Sequence, residues 1–295
     1  MTVRGLPSAT HLLYEPSFVN LNLMDISLDG TVAVVTGASR GAGRGIAAVL
    51  GERGATVYVT GRSTRGGPSA PGRSGSIEET AEEVTRRGGT AVAVRCDHTV
   101  DADVAGLFDQ VRREHGRLDL LVNNAWGGYE QRGDSAATFF GTPFWEQPLW
   151  RWQAMFGAGV RATFVTSRQG APLLLNDRRE RPGLIVNTIA WAFGTYLGNV
   201  VYDTAKAATA RLALGFACDL RPHNVAAVAI APGHLGVNET PEYLGRAVAT
   251  LAGDHDVMKR SGQTLTVGEL AREYGFTDID GTQPEPFSII GSAED

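Results

Sequence analysis

A short β-branched run, Thr31-Val-Ala-Val-Val-Thr36, passes directly into Thr36-Gly-Ala-Ser-Arg-Gly-Ala-Gly43, and an alanine-rich stretch follows from Ile46 to Leu50. The run reads as a strand, the glycines as a tight turn and the alanine-rich stretch as a helix. Gly37, Gly41 and Gly43 give the spacing G-x-x-x-G-x-G. Glycines there let a backbone approach a pyrophosphate, and the helix start offers free N–H groups and the positive end of its dipole. A glycine triplet alone suits a tight turn equally well. Set between a strand and a helix, it points to a dinucleotide site.

The alternation continues along the chain. Ala55–Thr60, Thr90–Arg95, Leu120–Asn123, Leu184–Thr188 and Val225–Ile230 read as further strands. Ser63–Ser76 is a loop rich in Gly, Ser, Pro and Arg. Ile77, Ala81 and Val84 share one face of a helix, as do Val104, Leu107, Phe108 and Val111 within Val100–His115. Trp150–Leu175 and Tyr202–Arg221 read as long helices, the latter ended by Pro222. Most strands are apolar on both faces, which implies a parallel sheet covered by helices on both sides. The expected fold is α/β, a Rossmann-type doubly wound sheet in a single domain over 25–295. Residues 1–24 read as an irregular extension, with a chain start at Met24 also conceivable from Met24-Asp-Ile-Ser-Leu-Asp-Gly30.

With 27 Lys+Arg against 32 Asp+Glu, the net charge of −5 argues against a nucleic-acid binder. Two cysteines, Cys96 and Cys218, cannot make a disulfide scaffold and lack metal-site spacing, so a reducing, cytoplasmic setting is expected. No apolar run is long enough to cross a membrane, and the start lacks the pattern of a secretory signal.

Four later landmarks, in order, carry a family resemblance. They are Cys96-Asp97-His98 after the third strand, Asn123-Asn124-Ala125, Tyr202-Asp-Thr-Ala-Lys206 and Pro232-Gly233. With the glycine turn they resemble the short-chain dehydrogenase/reductase family over roughly residues 25–240. Thr60-Gly-Arg-Ser63, Asn123-Asn-Ala-Trp126, Phe144-Trp-Glu146 and Gly159 resemble one branch of it with animal and bacterial members. The resemblance implies hydride transfer between a nicotinamide cofactor and a small carbonyl or alcohol substrate. It implies cofactor contacts from Gly37, Ser39, Arg40, Gly41, Ala42, Gly43, Asp97, His98, Asn124, Ala125, Pro232 and Gly233, and a homodimer or homotetramer. Tyr202 would be the general acid/base, and Lys206 would hold the nicotinamide ribose. Four residues apart on a helix, the two face the same way, and an ammonium beside a phenol favours the phenolate.

The chain departs from the family pattern at four places. Counting back from Tyr202 to the family's serine reaches Ile189, so Thr188 is the neighbouring hydroxyl, either a replacement or a strand-end threonine. Trp126 stands in place of a glycine. The helix asparagine that joins a water relay to the lysine aligns with Gly159. Val237 stands where a threonine usually follows Pro-Gly. These departures leave open a rival reading, a non-catalytic NAD(P)-binding sensor or scaffold, and more remotely an isomerase or dehydratase.

Cofactor choice is read from the end of the second strand. An NAD-selective site carries a carboxylate there. This chain has Gly61 and Arg62, with Arg40 in the glycine turn. Two guanidiniums and no carboxylate suit a 2′-phosphate, so NADP(H) is preferred and NAD(H) possible. Trp145, Trp150 and Trp152 could line an apolar substrate mouth or simply pack a loop. His234 could meet substrate or be an ordinary loop residue. The stretch about 234–260 is expected to form a mobile substrate lid.

Overall fold

The computed structural model describes residues 26–67, 74–128, 136–175, 181–190, 196–233 and 235–286. The proposed extension and His234 lie outside these residues. Among the described residues seven strands form one parallel sheet: β1 (Val32–Val35), β2 (Thr56–Gly61), β3 (Thr90–Arg95), β4 (Leu120–Asn123), β5 (Gly183–Thr188), β6 (Val225–Ala231) and β7 (Thr264–Thr266). Their order is β3-β2-β1-β4-β5-β6-β7. Val34 of β1 registers with Tyr58 of β2 on one side and Leu121 of β4 on the other. The doubly wound expectation holds, with β7 added at the far edge. Its three residues follow no long apolar run and gave no separate strand signal.

Side chains alternate between two cores, as a period of two requires. Ala33, Val35, Val57, Val59, Leu120 and Val122 enter one. Val32, Val34, Tyr58, Leu121 and Ile185 enter the other. The first is covered by α1 (Gly41–Glu52), α2 (Ile77–Arg86), α8 (Pro241–Gly253) and α9 (Val267–Tyr274). The second is covered by α3 (Asp101–His115), α6 (Ala162–Leu174) and α7 (Val200–Leu220). Two shorter helices, α4 (Ala136–Gly141) and α5 (Leu149–Met155), lead into α6.

Two sequence readings change in detail. The long helix expected over Trp150–Leu175 is α5 and α6 joined by a π-helical turn, Phe156–Arg161. Such turns widen the helix locally and recur at functional sites. About half of the expected lid is α8, whose Tyr243, Leu244, Ala247, Val248 and Leu251 are fully buried in the first core. An apolar stripe of that kind docks a helix on the sheet rather than freeing it.

Candidate active site

The strand order reverses between β1 and β4, and the loops at their carboxyl ends form the crevice where open α/β sheets take ligands. The Thr36 hydroxyl accepts hydrogen bonds from the backbone N–H groups of Asn124 and Ala125, both at 2.8 Å. Asn124 returns its Nδ2 to the carbonyls of Thr36 and Gly37, each at 3.1 Å. The glycine turn is thereby tied to the end of β4. Gly37 has φ +63°, and a Cβ there would lie 2.9 Å from Ala125 Cα. A Cβ at Gly43 would lie 2.4 Å from the Gly37 carbonyl oxygen, so only glycine closes the turn. At Gly41 a Cβ would meet nothing within 4 Å. The cradle is open on that side, and α1 begins there with no side-chain cap and no acidic residue in its first turn. Its N–H groups and dipole therefore remain available to an anion. These residues fit a dinucleotide pyrophosphate.

Arg40 crosses from this turn to the loop after β2, donating from Nη2 to Ser63 Oγ at 2.7 Å and to the Gly75 carbonyl at 3.0 Å. Arg62 is exposed beside Asp97. Burial would raise the Asp97 carboxyl, but hydrogen bonds from Thr99 and the charge of Arg62 hold it below the usual carboxylate range. The His98 ring is 5% exposed and lies between β2 and α6. Its Nε2 is 2.8 Å from Thr60 Oγ1, and its Nδ1 is 3.2 Å from Thr166 Oγ1. The Thr60 hydroxyl donates to the Val35 carbonyl, which assigns Nε2 as donor and Nδ1 as acceptor. Burial pushes this imidazole down to about 4, so it is neutral. The ring braces the sheet from within, whereas Asp97 is only half-buried, beside Arg62.

Tyr202 lies in the first turn of α7. Asn199, fully buried, caps that turn by accepting from the Tyr202 N–H at 3.0 Å and donates to the Phe139 carbonyl at 2.7 Å. The phenol ring meets Trp126, Phe139 and Phe140 edge to face, with centroids 5.4, 5.7 and 5.9 Å away. Lys206 follows one turn later, its Nζ 5.7 Å from the Tyr202 ring centroid and 3.8 Å from that of Trp126. Burial pushes the ammonium down to about 7. A cation over an indole face gains about 2 kcal/mol when desolvated.

Ile189 is 3% exposed and packs among Ala210, Ala213, Ala229 and Ala231. Thr188 ends β5, with its hydroxyl 3.3 Å from the Asn123 carbonyl and 3.2 Å from Asn124 Oδ1. After β6, the Gly233 N–H donates to the buried Glu239 carboxylate at 2.7 Å. A Cβ at 233 would lie 2.6 Å from Glu239 Oε1. Burial and the Asp278 charge push the Glu239 carboxyl up against the opposing Gly233 hydrogen bond. Pro232 and Gly233 are half-buried at this end of the sheet.

Of the tryptophans singled out above, Trp145 and Trp152 are exposed; Trp152 stacks on Phe156 at 4.1 Å, and Trp145 meets Phe144 edge to face. Trp150 lies beneath the Arg151 guanidinium, 5.7 Å from its ring centroid. The tryptophan against Tyr202 is Trp126 instead.

The short chain dehydrogenase family profile matches residues 31–243. The chain belongs to the short-chain dehydrogenase family. It is 35% identical to dehydrogenase/reductase SDR family member 1 of Mus musculus over 90% of this chain and 88% of that protein. A putative dehydrogenase from Xanthomonas campestris superposes with a TM-score of 0.74 at 25% identity, over 90% of this chain and all of that one. A metagenomic short-chain oxidoreductase solved in complex with NADP gives 0.65 at 30% identity, over 81% and 96%. This short-chain dehydrogenase is thus an oxidoreductase of a family that binds NAD(P) and acts on small molecules. No helix among its described residues is long and apolar enough to cross a membrane.

Proposed function

We propose that the chain interconverts a small-molecule carbonyl and an alcohol with NADP(H). The observation that carries this reading is Tyr202 and Lys206, one helical turn apart beside the glycine cradle. The cofactor would supply the hydride, and the protein orients it and manages the proton. Gly37, Ser39, Gly41, Ala42 and Gly43 would hold the pyrophosphate, with Asn124 and Ala125 fixing the turn and Pro232-Gly233 closing the far side. Asp97 lies on the adenine side. Lys206 would hold the ribose, and Tyr202 would protonate the carbonyl oxygen or deprotonate the alcohol. Thr188 is the hydroxyl available to polarise that carbonyl. The protein would work in the cytoplasm as a homodimer or homotetramer, which light scattering checks directly.

Arg62, exposed just after β2, supports the choice of NADP(H), since a guanidinium fork suits a phosphate, and Arg40 adds a second positive charge nearby. The expected result is tighter binding of NADPH than NADH, with Arg62→Asp narrowing the gap about tenfold, the worth of one charge-assisted pair. Equal wild-type affinities would overturn the preference. A second reading, a cofactor-binding protein without turnover, is favoured by Ile189, whose buried side chain occupies the expected serine position. NADPH consumption with any member of a carbonyl panel selects the enzyme. Tight NADPH binding with none consumed selects the sensor or scaffold.

A further inference from the structure

Two of the departures from the family pattern touch each other. A Cβ added at Gly159 would lie 2.6 Å from Trp126 Cζ3 and 2.8 Å from Cε3, closer than real side chains approach. Gly159 sits inside the π-helical turn Phe156–Arg161. The residue that is large where the family has glycine therefore occupies the space left by the residue that is glycine where the family has asparagine. The same indole carries Lys206 Nζ at 3.8 Å from its ring centroid and meets the Tyr202 ring at 5.4 Å. Lys206 is 9% exposed. Among the described residues its ammonium has no ion pair and no hydrogen bond, so the aromatic face is the favourable partner on hand.

We propose that Trp126 is a positioning residue for Lys206, with its indole face holding the ammonium and Gly159 supplying the room the indole needs. This rests on the reading that Lys206 serves the cofactor site. The arrangement replaces a polar, hydrated environment around the lysine with a dry aromatic one. It fixes the ammonium without a carboxylate that would compete for it, leaving its donors for a ribose hydroxyl. Gly159 and Trp126 then form a pair that changes together: either alone leaves a clash or a gap.

Lysine chemistry makes the test clean. The chain contains only two lysines, Lys206 and Lys259. Lys259 is exposed and paired with Asp256 at 2.7 Å, so it serves as an internal reference. In protein labelled with 13C-lysine, the two Cε–Hε signals are separated by NMR and assigned with Lys259→Arg. The indole ring current should move the Lys206 signal upfield of Lys259 in the wild type. Trp126→Phe should keep part of that displacement and bind NADPH near the wild-type level. Trp126→Leu should bring the Lys206 signal to the Lys259 position and weaken NADPH binding about tenfold, the loss of one contact of this kind. Gly159→Ala should shift the Lys206 signal by pushing the indole aside, and adding Trp126→Leu to it should recover the melting temperature lost.

A wild-type Lys206 signal without upfield displacement overturns the proposal, whether or not any variant folds. So does a folded Trp126→Leu that binds NADPH as the wild type does. Absence of NADPH binding in the wild type overturns the functional reading instead, and the lysine spectrum still decides the contact.

Discussion

On the β1 side of the proposed site, the wall is main chain: the Gly37–Gly43 turn and the open N–H groups of α1. On the β5–α7 side it is side chains: Tyr202, Lys206, Trp126 and Thr188. The first side keeps the family spacing, and the second has changed at Trp126, Gly159 and Ile189. A backbone cradle tolerates little where a Cβ at Gly37 or Gly43 would meet atoms that cannot move aside. A cluster of side chains can be rebuilt when one residue grows as its neighbour shrinks. The two sides therefore differ in how substitutions should fail.

The largest expected effect breaks the backbone side. Gly43→Val puts branched carbon where even a Cβ lies 2.4 Å from the Gly37 carbonyl and 2.5 Å from Asn124 Nδ2. Overpacking there should cost about 3 kcal/mol or more, and NADPH binding should vanish. Calorimetry and cofactor titration check both. A variant that folds and binds normally would show the turn to be looser than its geometry. On the other side, Tyr202→Phe should lower turnover about 10²–10⁴-fold, the worth of a positioned proton donor, with NADPH affinity unchanged. Full activity in that variant would move the proton to another group.

His98 sharpens the comparison, since it braces the backbone side from within the fold. Burial holds it at about 4, below its ordinary 6.5. Between those values the unfolded chain binds more protons than the folded one. Stability from this group is whole above pH 6.5 and is lost as pH falls toward 4, by up to about 3 kcal/mol. His98→Asn should flatten the wild-type decline in melting temperature over that window. The same slope in both proteins would assign the acid lability to carboxylates alone.

The legible part of the sequence was local. Gly37, Gly41 and Gly43 lie within one turn, and Tyr202 and Lys206 within one helical turn, so spacing alone aligns them. Asn199 carried a signal too, as an N-cap three residues before Tyr202. The Trp126–Gly159 contact is different. It joins residues on separate elements, and only the packing of the π turn against the end of β4 brings them together. Glu239 under Gly233 is likewise set by the course of a loop. The middle of the stretch read as a lid is α8, whose apolar residues found α1 and the sheet. The β7 strand is three residues long and pairs with β6 at the sheet edge, too short for periodicity to register.

Thr188 carries the smallest expected effect and marks where the two sides meet. Its hydroxyl has one proton, shared between the Asn123 carbonyl at 3.3 Å and Asn124 Oδ1 at 3.2 Å. Both distances are at the long end for a hydroxyl donor. Redirecting the proton to a substrate carbonyl therefore gives up little. Asn124 keeps its grip on the glycine turn through Nδ2, which Thr188 does not touch. Thr188→Val should then leave NADPH affinity within about threefold and lower kcat about tenfold, the worth of a single neutral hydrogen bond. A loss of cofactor affinity instead would make Thr188 a strap on the backbone side, acting through Asn124. Unchanged kcat and affinity would return it to the end of β5 as an ordinary strand threonine, leaving the carbonyl to Tyr202 alone.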